Sequence, residues 1–353
     1  YPRSARLLHD LVQSHWSVTL YPLLFPDDPW SAIRAAFPPE MEVALGLGEP
    51  GLRRFLQERR GYYDAILVSR PHNMRTLLEA GGQSLDGVRL IYDAEAIFAT
   101  READRLALAG TPVSPARERA LVEAEMQLAR AAHTIVSVSE RDADRFRTAG
   151  CPDVQVLGFA LAPDPTPQTY AARGDLLFVG ALDDDPSPNT DSLLWFAAEV
   201  MPLLDTLIGE SYRLAVAGRC AAARVARLAG PRIRLLGRVD DLAPLYAAAR
   251  LFIAPTRYAA GIPLKVQEAA ARGVPVVATP LLAGQLGWRD GCELLTGASA
   301  AEFAAACARA WSDPELWREL REQALARVAA DCDPQRFFQS VARVMAPSLR
   351  HSG

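Results

Sequence analysis

The chain has 353 residues, enough for two domains that each bury a core of their own. Half of the residues are hydrophobic, but charged residues interrupt every apolar run well before membrane-spanning length, and the opening residues lack the pattern of a secretory signal. A net charge of -4 with no basic tract argues against nucleic-acid binding and against a strong membrane anchor, while peripheral association with a membrane stays open.

Taken in chain order, helical patterns at 4–13, 51–59, 73–79, 116–130 and 141–148 alternate with strand patterns at 17–23, 64–69, 88–92, 134–139 and 154–157. The proline-rich stretch Leu161-Ala162-Pro163-Asp164-Pro165-Thr166-Pro167 suits neither element and reads as a linker. Beyond it come strand patterns at 176–179, 212–217, 233–236, 251–254, 274–278 and 293–295. Alternation of this kind implies parallel sheets covered on both faces, two doubly wound α/β domains with ligands at the carboxyl ends of the strands. After a helix at 314–329, Asp333 and Pro334 make a cap and first turn for a last helix with an apolar stripe of Phe337, Val341 and Val344. Cys151, Cys220, Cys292, Cys307 and Cys332 are scattered and odd in number, which fits the reduced thiols of a cytoplasmic protein. His9, His15, His133 and His351 show no spacing that suits a metal.

Lys265 is the one lysine among 38 basic residues. It lies in Gly261-Ile262-Pro263-Leu264-Lys265-Val266-Gln267-Glu268, where a loop turns into a helix that stops at Gly273. Gly261 permits close backbone approach, Pro263 suits a first helical turn, and a helix N-terminus offers free amides to phosphate. Lys265 and Glu268 are three apart and share one face, so a cation for phosphate and a carboxylate for sugar hydroxyls point the same way; an ordinary surface ion pair satisfies the same spacing.

The order and spacing of Phe178-Val179-Gly180, Leu214-Ala215-Val216-Ala217-Gly218, Leu236-Gly237-Arg238-Val239-Asp240, Leu251-Phe252-Ile253-Ala254-Pro255 and Glu268 through Thr279 resemble the C-terminal half of the group 1 (GT4-like) glycosyltransferases. These are retaining enzymes of the GT-B fold. The resemblance covers residues 175–330 closely and 60–160 more loosely. It implies an N-terminal Rossmann-like acceptor domain at 1–160, a linker at 161–174, a donor domain at 175–332 facing it across a cleft, and a last helix at 333–353 that crosses back to the N-terminal domain. It also implies that a strand and glycine-rich loop should precede the first helix, so that the N-terminal sheet lacks its first, central strand and the chain belongs to a longer protein. The implied co-substrate is a nucleotide-diphosphate sugar, with no cofactor required. The implied acceptor is a hydroxyl of a glycan, a lipid-linked glycan or a protein. The donor would then meet Gly180, Arg219, Val239, Arg257, Gly261, Ile262, Pro263, Lys265 and Glu268, with Glu268 accepting from the ribose hydroxyls.

Two departures stand out. The loop after Gly180 reads Ala181-Leu182-Asp183-Asp184-Asp185-Pro186, acidic where many relatives are basic. Ordinary turn chemistry accounts for it better than a divalent metal, so neutralisation of the diphosphate falls to Lys265, the helix start, and Arg219 or Arg257. Ala260 stands where relatives commonly carry a sugar-contacting glutamate, as in the sub-branch without it. On the acceptor side, Asp93 and Glu95 end the strand at 88–92, with Arg101 as their orienting cation and His72 as a weaker candidate near by. A helix cap at Asp93 with Glu95 in its first turn fits the same residues. A non-catalytic GT-B module, or less readily a nucleotide-sugar epimerase, remains as an alternative to the transferase.

Overall fold

A computed structural model describes residues 2–25, 30–182 and 187–346. The chain divides into two compact units, Tyr1–Ala160 with Pro334–Gly353, and Leu161–Asp333.

In the first unit, β1 (Thr19–Leu20) and β2 (Glu42–Val43) form a parallel pair, and β3 (Ala65–Ser69), β4 (Arg89–Asp93), β5 (Thr134–Ser137) and β6 (Val154–Val156) form a parallel sheet in that order. Sheet residues Ile91, Tyr92, Ile135 and Val136 are fully buried because helices cover both faces, which is why these strands are apolar without alternation. One face packs against Phe55, Met74 and Phe146. The other is closed by Leu7 and Leu11 of the helix Pro2–Gln13 together with Phe337, Val341, Val344 and Met345 of the helix Pro334–Met345. The four-residue periodicity of those side chains puts them on one stripe.

In this unit the sequence patterns place the helices Pro2–Gln13, Gly48–Glu58, Pro71–Gly81, Pro115–Arg130 and Glu140–Thr148 to within a few residues, but they miss the helix Trp30–Ala35 and differ over residues 94–108. The strand stops at Asp93, and a helix starts at Phe98 and runs to Leu108. Its own sequence offers no capping side chain. Glu125, from the neighbouring helix Pro115–Arg130, supplies the cap by accepting from the amides of Phe98 (3.0 Å) and Ala99 (2.9 Å). Burial raises the Glu125 pKa and the two amides pull it back.

The second unit is one six-stranded parallel sheet of β7 (Asp175–Val179), β8 (Arg213–Ala217), β9 (Ile233–Leu235), β10 (Ala249–Ala254), β11 (Val276–Ala278) and β12 (Leu295–Thr296). Its order is β12-β11-β10-β7-β8-β9. From β7 the chain winds outward through β8 and β9, then returns to the other side of β7 for β10 and winds outward again. The reversal lies between β7 and β10, and in such sheets ligands bind beyond the strand ends at that point. Residues 161–174 are hydrogen-bonded into this unit. The amides of Asp164 and Thr166 donate to the carbonyls of Ala271 and Arg272. Arg173, 1% exposed, donates to the carbonyls of Tyr246 (2.7 Å) and Ala249 (2.9 Å) and to Thr166 Oγ1 (2.6 Å). Burial, helped by the nearby Arg321, lowers its pKa to about 10.

All five cysteines are free thiols. No helix among the described residues is long and apolar enough to cross a membrane.

Candidate functional site

At the carboxyl end of β7 the Gly180 amide donates to the Ala217 carbonyl at 3.0 Å. Gly218, just past β8, has φ +139°, and a Cβ there would lie 2.0 Å from the Gly180 carbonyl oxygen. Two backbones meet here with no space for a side chain, so both strand ends require glycine or something close to it. A Cβ on Gly180 would in turn strike the Asn189 amide at 2.7 Å.

Asn189 is the second residue of the helix Pro188–Trp195, whose start is capped by Ser187 Oγ accepting from the Thr190 amide. Asn189 Nδ2 donates to the Ala181 carbonyl (3.1 Å), and its Oδ1 accepts from Lys265 Nζ (2.8 Å). Lys265 is the second residue of the helix Leu264–Ala271, which follows β10 by way of Gly261 at φ +77°. Its ammonium also approaches Thr256 Oγ1 (3.3 Å) and lies 5.0 Å from the centre of the Phe178 ring. Thr256 is itself fixed: Ser192 Oγ donates to its hydroxyl (3.1 Å), and Thr279 Oγ1 to its carbonyl (2.6 Å). Lys265 is thus held by an amide, a hydroxyl and an aromatic face at the β7–β10 reversal. Among the described residues no carboxylate pairs with it. Burial lowers its pKa to about 8.

Glu268 lies one turn further along the helix and is partly buried. Burial raises its pKa, and Arg272 opposes the rise. Gly261, Ile262 and Pro263 form the half-buried loop before the helix, and Val239 is half-buried in the loop after β9. Arg219 is exposed, and its carbonyl accepts from the Leu182 amide. Arg257 departs from expectation: its guanidinium makes a two-pronged pair with Asp191 (2.9 and 2.5 Å), so its charge is already balanced within the unit. Asp183, Asp184 and Asp185, weighed above as metal ligands, lie outside the described residues.

Sequence reasoning passed over Asn189, Asp191 and Thr256. An asparagine just inside a helix start is the visible trace of the first. Its partner lies 76 residues away, and no local pattern joins the two.

In the first unit the acceptor-side residues separate. Asp93 is 1% exposed, and Arg3 holds it by Nη1 to Oδ2 (2.6 Å) and Nη2 to Oδ1 (2.9 Å). Arg3 also donates to the carbonyls of Leu157 and Gly158, and Ser69 Oγ donates to Asp93 Oδ2 (3.2 Å). A carboxylate so enclosed ties together the ends of β3, β4 and β6. It is not exposed to an acceptor, which corrects the reading of Asp93 as a reacting-side group. Arg101 is likewise corrected. It sits on the helix Phe98–Leu108 with its guanidinium 5.2 Å from the Phe98 ring centre, while Arg3 and Arg70 are the cations that hold Asp93 and Glu95. Glu95 stays partly exposed and meets Arg70 Nε at 2.8 Å. His72 is exposed on the helix Pro71–Gly81.

Taken together, the two parallel-sheet units and the glycines at the ends of β7 and β8 point to a GT-B glycosyltransferase fold. Residues 173–313 match the family model described as Glycosyl transferases group 1. Among solved structures, the chain resembles HepE from Anabaena in a complex with UDP and glucose, at 16% identity and TM-score 0.71 over 97% of this chain and 96% of that one. It also resembles sucrose-phosphate synthase from Thermosynechococcus elongatus, at 16% identity and TM-score 0.72 over 96% and 90%. A glycosyltransferase from Rickettsia africae aligns at 9% identity and TM-score 0.68 over 97% and 94%. At such identities the likeness is one of fold. No curated protein matches the chain in sequence.

Proposed function

We propose that this chain is a glycosyltransferase that moves a hexosyl or deoxyhexosyl group from a nucleotide-diphosphate sugar to a hydroxyl acceptor, with retention of configuration. The observation that carries this reading is the Lys265 ammonium, held among the described residues by Asn189 and Thr256 at the strand reversal of a unit whose sequence matches group 1 glycosyl transferases. In this reading Lys265 and the amides at the start of its helix take the diphosphate, and Glu268 accepts from the ribose hydroxyls. During transfer the bond from the anomeric carbon to the diphosphate oxygen breaks, and charge grows on that oxygen. A fixed cation beside it therefore stabilises the transition state more than the bound donor. The complexes of HepE with UDP and with UDP-glucose make uridine donors the first to test. No step in this reading calls on a metal, and we place the reaction in the cytoplasm on the composition of the chain.

The test is a thermal-shift panel of UDP, GDP and dTDP with their hexose conjugates, followed by assay of donor turnover. A ligand at a hundred times its dissociation constant adds about 2.7 kcal/mol, enough to raise Tm by several degrees. A melting point that none of these nucleotides moves would sink the donor-site assignment. Binding without turnover would favour a non-catalytic module instead.

A further inference from the structure

Glu268 lies on the helix Leu264–Ala271, and Arg272, four residues on, is the C-cap of that helix. A carboxylate followed by a cation at this spacing favours an ion pair along the helix. That pair is not made. The Arg272 guanidinium instead bonds Oδ2 of Asp164, from the segment with which the second unit begins. Among the described residues no hydrogen bond or ion pair engages the Glu268 carboxylate, although the residue is partly buried.

Backbone bonds put Asp164 within reach of the guanidinium. The Asp164 amide donates to the Ala271 carbonyl (2.9 Å), and the Thr166 amide and hydroxyl donate to the Arg272 carbonyl (3.1 and 3.3 Å). Thr166 is gripped in turn: Arg173 Nη2 donates to its hydroxyl (2.6 Å) and Arg321 Nη2 to its carbonyl (2.7 Å). These bonds satisfy carbonyls that a helix end leaves without partners, and they need no side chain at position 164. The ion pair adds little stability of its own, because Asp164 is 74% exposed and Arg272 37%. The Asp164 carboxylate therefore does more to occupy the guanidinium than to hold the segment. Glu268 and Arg272 nevertheless share one neighbourhood. Burial raises the pKa of the Tyr246 phenol, Glu268 adds to the rise, and Arg272 opposes it.

We infer that Asp164 is a positioning residue for the donor site: by holding Arg272 it keeps the Glu268 carboxylate open to the ribose hydroxyls. The inference rests on the donor reading above. Without Asp164, Arg272 turns back along the helix to Glu268, and a nucleotide must displace it before both carboxylate oxygens can accept. All the residues concerned lie within the second unit.

The test has a ligand-free arm and a binding arm. In protein with 13C-labelled glutamate side chains, the Glu268 resonance is assigned by its loss in Glu268→Gln. It should titrate at lower pH in Asp164→Ala than in the wild type, because the guanidinium has moved beside it. An unchanged titration overturns the inference whatever the protein binds. In the binding arm, calorimetry should show UDP held about two- to fivefold more weakly by Asp164→Ala. The 2′,3′-dideoxyuridine diphosphate offers Glu268 no hydroxyl and should bind both proteins alike. Adding Arg272→Ala to Asp164→Ala removes the competitor and should restore the UDP affinity. A purely structural role for Asp164 predicts both nucleotides weakened alike and no recovery in the double variant, and that result overturns the inference. A wild type that binds UDP no more tightly than its dideoxy analogue, or binds neither, overturns the donor reading instead. The ligand-free titration still decides whether Asp164 holds Arg272 away from Glu268.

Discussion

Replacing Lys265 by methionine should make the ligand-free protein more stable and the donor site weaker. The depression of the lysine pKa from 10.5 to about 8 means that keeping the ammonium charged in its buried setting costs about 3 kcal/mol at neutral pH. Methionine keeps most of the volume and none of the charge, but it gives up the bonds to Asn189 and Thr256. A net gain of about 1–2 kcal/mol remains, or roughly 2–8 °C in Tm for a unit of this size. The cost belongs to the charged form. In the wild type it is therefore fully present below pH 8 and is relieved as pH rises towards 10.5, where the unfolded chain also loses the proton. Binding should run the other way. A charge-assisted bond to phosphate is worth about 1.5–3 kcal/mol, so UDP affinity should fall about 10- to 150-fold in the variant, and uridine affinity much less. Calorimetric titration at pH 7 and pH 9 adds a second readout. The ammonium is about nine-tenths protonated at the first and about one-tenth at the second, so wild-type affinity should fall about tenfold while the variant stays flat. A Lys265→Met protein that binds UDP as tightly as the wild type, or that melts lower without ligand, would refute the reasoning.

Asn189→Asp should place a carboxylate 2.8 Å from the ammonium, weaken UDP by at least about tenfold and move the fall in wild-type affinity to higher pH; calorimetry over the same range reads both. Gly218→Ala should cost more than about 3 kcal/mol by denaturant unfolding, since its Cβ would lie 2.0 Å from a backbone oxygen, whereas Gly174→Ala, with nothing within 4 Å, should be close to neutral. Arg3→Ala should cost about 3–5 kcal/mol by leaving Asp93 buried and unpaired, and changing Asp93 to leucine as well should recover part of that loss. Equal unfolding curves for Arg3→Ala and the wild type would remove Asp93 from the structural role assigned to it.

The parts of this fold that were legible in sequence are those written locally. Continuous apolar runs such as Leu176–Val179 become strands buried on both faces, and the helix read at 314–329 runs from Pro314 to Asp331. Glycine at the end of β7 and proline before Lys265 mark a strand end and a helix start for the same reason. What escaped depends on partners far away in the chain. The helix at Phe98 has a cap donated from Glu125, so its own start signal is absent. β2 is two residues long, below what alternation can register. Asp93 looked like a group awaiting a substrate because its partner, Arg3, is 90 residues away. Arg257 looked like a free cation until Asp191, 66 residues earlier, took its charge. Charge at a strand end can be read from sequence, but its neutralisation cannot.

The path of the chain through the two units has a consequence for synthesis. The first unit is opened by residues 1–160 and completed by the helix Pro334–Met345, whose Phe337, Val341 and Val344 cover Leu7, Leu11, Ile91 and Val136. The second unit, contiguous from Leu161 to Asp333, leaves the ribosome entire while the first still lacks one wall of its core. The half made first is thus the half finished last, and for more than 170 residues of translation one face of its sheet has only the helix Pro2–Gln13 over it. The interval is a window in which a chaperone can bind or aggregation can begin, and it closes only when the ribosome has released Met345.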